Sequence, residues 1–215
     1  LVIVSALAVQ DPRDRPHDHQ QKADEAHRRY ADDDSDFVAY LNLWRFFEEH
    51  RQALSHRKLR SFCKENFLSY ARMREWRDIH RQLHLMCREM KMKENRQPAD
   101  FGAVHRSLLS GLLGQIGEKQ EGNEYLGARG KRHFIFPGSA LFRKRPAWIM
   151  SAELTETTRL YGRTVASIDN DWVEPLAQHL VSRTFHEPHY ESKRGQIVAR
   201  ERVTLYGLVI VKNRT

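Results

Sequence analysis

The stretch YLGARGKRHFIFPGSALFRKRPAWIMSA, Tyr125 to Ala152, carries six Lys and Arg side chains and five aromatics across twenty-eight residues without one Asp or Glu. The cations are Arg129, Lys131, Arg132, Arg143, Lys144 and Arg145; Tyr125, Phe134, Phe136, Phe142 and Trp148 lie between them. Cationic groups attract a phosphate backbone, and aromatic faces stack on unpaired bases. Phe134, Phe136 and Trp148 also read as core residues, because large apolar side chains are more often buried than functional. The residues His133-Phe134-Ile135-Phe136 and Ala147-Trp148-Ile149-Met150, bounded by Pro137-Gly138 and Pro146, have the look of strands. Val198 through Tyr206, rich in β-branched residues and stopped by Gly207, predicts a third.

Upstream of this stretch the hydrophobic period is helical. Phe37, Leu41, Trp44 and Phe47 follow the capping run Asp32-Asp33-Asp34-Ser35-Asp36. Ser55 can cap a helix carrying Leu59, Phe62 and Cys63. Met73, Trp76, Ile79, Leu83, Met86 and Met90 define the longest helix. The polar segment Lys91 to Pro98 breaks the pattern and predicts a linker. Val104, Leu108 and Leu112 indicate one more helix, after which Gly111, Gly114 and Gly117 loosen the backbone. Helices followed by strands predict an α+β chain with separate helical and β-rich domains, since a parallel α/β sheet would interleave them.

The 215 residues suffice for one large or two small domains, and 40% hydrophobic with 30% charged residues describes a chain that folds. The net charge of +8 is unevenly placed. Residues 1–100 carry 19 Lys and Arg against 17 Asp and Glu, and residues 101–215 carry 17 against 11. The excess in the second half points to an anionic partner, nucleic acid before a membrane surface. Leu1 to Val9 is far below the ~20 apolar residues of a membrane span and reads as the end of a buried element. Cys63 and Cys87 show no pairing pattern, so a cytosolic, reduced state is expected.

Other constellations point to chemistry less well. Asp24-Glu25-Ala26-His27 spells a helicase ATP box, but the residues before it are polar rather than a buried strand. No Gly-x-x-x-x-Gly-Lys-[Ser/Thr] cradles phosphates anywhere in the chain. His80, His84 and Cys87 share a helical face, yet no Glu stands beside His80 as it would in a hydrolytic zinc helix. His17-Asp18-His19 and His186-Glu187-Pro188-His189 read as exposed loops. With no nucleophile elbow and no convincing carboxylate dyad, no catalytic or metal-binding residue is assigned.

Taken in order, several segments resemble the C-terminal part of DEAH-box RNA helicases, most closely the bacterial HrpA type. They include Ala6 to Pro16, Asp34-Ser35-Asp36-Phe37, Phe62 to Leu68 and Arg74 to Leu83, which look like the helical ratchet domain. Glu124 to Gly130, Phe136-Pro137-Gly138-Ser139, Trp148 to Leu154 and Thr157 to Tyr161 look like the oligonucleotide-binding fold, with Asp171 to Leu176 as its closing helix. Glu187-Pro188-His189-Tyr190 and Val203 to Leu208 resemble the start of the HrpA-type extension. The resemblance implies a helical domain over 1–98, an oligonucleotide-binding barrel over 99–186 and the extension over 187–215. It also implies a longer parent whose RecA-like motor domains, upstream of this fragment, use ATP and magnesium. That parent would separate RNA duplexes or remodel ribonucleoproteins from the 3′ side, while the fragment itself holds no cofactor and guides single-stranded RNA. Arg129, Lys131, Arg132, Ser139, Arg143 and Lys144 are the expected RNA contacts. A free-standing RNA- or ribosome-binding protein without a motor, and a small metalloprotein centred on His80, His84 and Cys87, are the competing readings.

Overall fold

The computed structural model describes residues 1–93, 95, 97–192 and 195–214. They divide into two compact units, Leu1–Pro98 and Ala99–Thr215.

The first unit is helical: α1 (Val2–Ala6), α2 (Gln20–Arg28), α3 (Asp36–Ala53), α4 (His56–Glu65) and α5 (Tyr70–Glu89). Side-chain oxygens set two of the starts. Ser35 accepts from the Val38 N–H at the head of α3, and Ser69 accepts from the Arg72 N–H at the head of α5. The core gathers Tyr30, Tyr40, Leu43, Phe47, Cys63 and Trp76. Trp76 is fully enclosed, and its indole Nε1 donates to the Val2 carbonyl and to Ser5 Oγ, both at 3.0 Å, so α1 is tied to α5.

Two helical stripes differ from expectation. On α3 the buried positions are Phe37, Ala39, Tyr40, Leu43 and Phe47, while Leu41 and Trp44 lie at the margin. On α5 only Met73 and Trp76 are buried; Met86 and Met90 are 55% and 70% exposed, because the core stops at the first two turns. The Asp24–His27 string lies in α2, where His27 Nε2 is 2.9 Å from the Phe67 carbonyl. Among the described residues no helix is long and apolar enough to cross a membrane.

In the second unit, α6 (Phe101–Leu112) is capped by Asp100, whose carboxylate accepts from the Ala103 N–H at 2.7 Å. It buries His105 and Leu109, one position round from the expected Val104, Leu108 and Leu112. Strands β1 (Ile116–Lys119), β2 (Glu124–Gly127), β3 (Arg132–Ile135), β4 (Trp148–Glu156) and β5 (Leu160–Ser167) close into a barrel in the order β1-β2-β3-β5-β4. Every pairing is antiparallel except β3 with β5. This is the five-stranded barrel of the oligonucleotide-binding fold, so the α+β expectation of helices followed by such a barrel holds. Tyr125, Ile135, Leu141, Ile149 and Val165 fill its core.

After α7 (Val173–Leu176) the chain forms a meander of β6 (Val181–Glu191), β7 (Gln196–Leu205) and β8 (Leu208–Arg214). Residue 187, where the extension was expected to begin, falls inside β6. His186 and His189 are therefore strand residues flanking a register shift, not loop residues as expected. The meander is joined to the barrel: Asn170 Nδ2 donates to the Ile210 carbonyl at 2.7 Å, and the Arg129 N–H donates to the Tyr206 carbonyl at 2.8 Å.

Candidate nucleic-acid interface

The alternation of β3 sorts its side chains. His133 and Ile135 point into the barrel, whereas Phe134 and Phe136 stay partly exposed on the outside. Phe134 stands in register with Tyr161 of the parallel neighbour β5. The Tyr161 ring lies 6.3 Å from the Phe134 ring and 5.9 Å, edge-on, from the Phe136 ring. Two arginines cover this aromatic surface. The guanidinium carbon of Arg159 is 4.8 Å from the centre of the Phe134 ring, and that of Arg163 is 4.0 Å from the Phe136 ring. Both distances fall within the range of cation–π attraction. Among the described residues Arg163 Nε has no hydrogen-bond acceptor. Glu153 on β4 stands opposite Arg163 in register.

A cavity of about 150 Å³ opens beside these rings, with Phe134, Phe142, Arg145, Arg159 and Tyr161 among its walls. Arg145, held at φ 49°, sends its Nε to the Phe142 carbonyl at 3.1 Å and lies 5.7 Å from that ring's centre. Flat apolar faces, each with a cation close by, form a platform on which unpaired bases stack while phosphates meet guanidinium groups.

The residues expected from the sequence fall in three places. Arg129 and Lys131 line a separate cavity of about 550 Å³ with Glu153 and Tyr206. Arg129 is held at φ 58°, and its guanidinium lies 5.7 Å from the Tyr206 ring. Arg132 projects outward from β3 and pairs with Glu124 at 2.7 Å. Ser139, Arg143 and Lys144 belong to the β3–β4 connection. There Ser139 Oγ accepts from the Leu141 N–H at 3.2 Å and caps a single helical turn, while Arg143 and Lys144 are exposed.

Of the five aromatics in the acid-free stretch, Tyr125 is a core residue. Burial pushes its phenol up to about 12, and its hydroxyl donates to the Pro146 carbonyl at 2.8 Å. Phe134 and Phe136 are surface residues.

Sequence reasoning missed Arg159, Tyr161 and Arg163. A signal was present: the i, i+2 and i+4 spacing puts Tyr161 and Arg163 on one face of β5, with Arg159 one residue before its start, and Gly162 faces inward. On the histidine–cysteine face of α5 the His80 ring packs 4.7 Å from the Trp44 ring. Among the described residues no cluster of three His, Cys, Asp or Glu side chains is placed to hold a metal ion.

Comparison with known proteins agrees with this geometry. Residues 104–180 match the family OB_NTP_bind, described as an oligonucleotide/oligosaccharide-binding (OB)-fold. Over 215 residues, all of this chain, the sequence is 51% identical to the ATP-dependent RNA helicase HrpA of Escherichia coli (strain K12) and 49% identical to the ATP-dependent RNA helicase HrpA homolog of Haemophilus influenzae. It spans 16% of the length of each of those relatives. A more distant relative, the pre-mRNA-splicing factor ATP-dependent RNA helicase DEAH10 of Arabidopsis thaliana, is 26% identical over 83% of this chain and 26% of its own length. The resemblance to HrpA-type helicases is borne out across the whole chain.

Proposed function

We propose that this chain, alike throughout its length to a segment of the HrpA-type helicases, is the RNA-guiding accessory part of an ATP-dependent RNA helicase. The observation that carries the proposal is the outer face of β3 and β5, where Phe134, Phe136 and Tyr161 form a platform flanked by Arg159 and Arg163. Single-stranded RNA stacks bases on Tyr161 and on the guanidinium planes that lie over Phe134 and Phe136, and its phosphates meet the edges of those guanidinium groups and the basic loops. Arg143 and Lys144 extend the positive field along the β3–β4 connection, and Arg129 and Lys131 on the β2–β3 connection, with Arg132 at the start of β3, extend it on the other side. Ser139 shapes the first of these loops through its cap.

In this reading the work is cytoplasmic, and the partners are single-stranded RNA, RNA–protein complexes and the RecA-like motor domains of the same polypeptide. The motor consumes ATP with magnesium. The present residues keep the displaced strand from re-pairing during 3′-to-5′ unwinding or ribonucleoprotein remodelling. Residues 1–98 act as the ratchet-like helical part, 99–186 as the barrel, and 187–215 open the extension.

The test compares ATPase activity and duplex unwinding by the parent protein with and without residues 101–215. RNA-stimulated ATPase and unwinding fall together on removal if this half couples RNA to the motor. Equal unwinding by both forms would discard the proposed role.

A further inference from the structure

The two faces of the β6–β7–β8 meander differ in charge. On one, Arg183 and Arg214 are matched by Glu174 and Glu201 in a closed network with contacts of 2.6–2.8 Å among them. On the other, Thr184, Arg202 and Lys212 stand side by side in one cross-strand row. A register shift between Glu201 and Arg202 makes this row: Glu201 pairs with Arg214 and Arg202 with Lys212, so Asn213 is the extra residue, held at φ 85°. Bulges of this kind re-aim side chains.

Like charges directly opposite across two strands destabilise a sheet. Here the bulge sets two cations against each other. Lys212 reaches Glu118 at 2.8 Å, while Arg202 makes no ion pair among the described residues. Around the pair lies a cavity of about 410 Å³, walled by Thr184, His186, Arg202, Val209, Lys212 and Asn213, with no acid among them. His186 Nε2 lies 3.2 Å from Asn213 Oδ1, which fixes the imidazole at the rim.

We infer that this pocket binds a phosphodiester of RNA, separately from the barrel platform. Arg202 and Lys212 supply the charge, the Thr184 hydroxyl exchanges its long 3.5 Å contact to the Arg202 carbonyl for a bond to the phosphate, and Val209 supplies an apolar wall for the attached sugar. The inference rests on the reading that the chain binds RNA, but on different residues and a different sheet.

Arg202→Ala and Arg202→Glu test it in the 215-residue chain, with a labelled ten-nucleotide oligouridylate as one probe and inorganic phosphate as the other. Arg202→Ala weakens oligonucleotide binding by about tenfold to a hundredfold, as loss of a charged hydrogen bond implies. It also lowers the salt slope by roughly 0.7, the value for one single-strand phosphate contact. Arg202→Glu weakens binding further yet raises the melting temperature, because it turns the like-charge row into a pair with Lys212; a purely structural arginine would lower it. In the wild-type chain, inorganic phosphate shifts the backbone amides of Thr184, Arg202 and Lys212 in a saturable way.

Unchanged RNA affinity and salt slope in both variants overturn the inference. Should phosphate still saturate those amides in that case, the pocket takes a free anion and the RNA assignment is wrong. An Arg159→Ala/Arg163→Ala variant is measured alongside. If only that variant weakens binding, the barrel reading survives and the pocket falls; if only the Arg202 variants do, the pocket survives and the barrel reading falls.

Discussion

The guanidinium carbon of Arg163 sits 4.0 Å from the centre of the Phe136 ring, joining a residue of β5 to one just beyond the end of β3. Phe136 is anchored from the same strand, since its N–H donates to the Gly162 carbonyl at 3.1 Å. The cation therefore covers a ring whose position the backbone fixes, and both remain on the outside of the barrel. Replacing Phe136 or Arg163 by Ala is expected to weaken single-stranded RNA binding about tenfold each, within the ~1–3 kcal/mol that a base–aromatic stack contributes. Because each partner orients the other, the double variant should lose less than the product of the two effects. Fluorescence anisotropy with the four proteins checks this; strictly multiplicative losses would separate the two side chains.

Arg143 and Lys144 are exposed on the β3–β4 connection. Reversing both charges is expected to weaken RNA binding and flatten its salt dependence. Melting should hardly change, because exposed loop substitutions stay within about 0.5 kcal/mol. Wild-type affinity and salt slope in the double variant would remove this loop from the interface.

The barrel was legible where a strand alternates strongly. His133 to Phe136 announces itself, and β4 was found at its start but runs on to Glu156. Strand β1, with the sequence Ile116-Gly117-Glu118-Lys119, holds too few apolar residues to register as a strand, and its glycine is present for packing. Strand β6 is exposed along most of its length, so no alternation marks it. In the helices, period gave the element but not the angle of its buried face: α6 turns His105 inward rather than Val104, and the apolar side of α5 continues past the core to Met86 and Met90. The cationic half of the site was visible as an acid-free run. Arg159 and Arg163 escaped because they lie beyond it, and only the parallel pairing of β3 with β5 brings them to the rings.

Gly162 marks a point where the barrel wall leaves no room. A Cβ placed there would collide with Ser151 Oγ on β4. Gly162→Ala is therefore expected to destabilise the chain by about 1–3 kcal/mol through overpacking. Ser151 Oγ is buried without a hydrogen-bond partner among the described residues, so Ser151→Ala alone should cost little. It should also recover part of the loss when combined with Gly162→Ala, since the nearest obstructing atom is then gone. Urea denaturation of the two single variants and the double variant measures the coupling; additive losses would place the strain elsewhere.

His133 supplies a pH dependence of the opposite sign to that of a surface histidine with an acidic neighbour. Its ring is fully enclosed and packs against Gly117, where a Cβ would come within 2.7 Å of the ring carbon Cε1, and among the described residues neither ring nitrogen has a hydrogen-bond partner of good geometry. Burial pushes its pKa down to about 4, with the nearby Lys131 backbone offsetting a little of the shift. The unfolded chain binds the proton with a pKa of about 6.5, so protons favour unfolding. Its full contribution to stability is present above pH ~6.5, declines as pH falls through the interval down to about 4, and changes no further below that. At about 1.4 kcal/mol per pH unit the loss amounts to roughly 3 kcal/mol. His133→Leu, similar in bulk and without a titrating group, is expected to remove this component. The difference in unfolding free energy between wild type and variant should shift by that amount between pH 7 and pH 4, with carboxylate titration common to both proteins cancelling. A difference that stays constant over the interval would show that the imidazole is not held neutral inside the barrel.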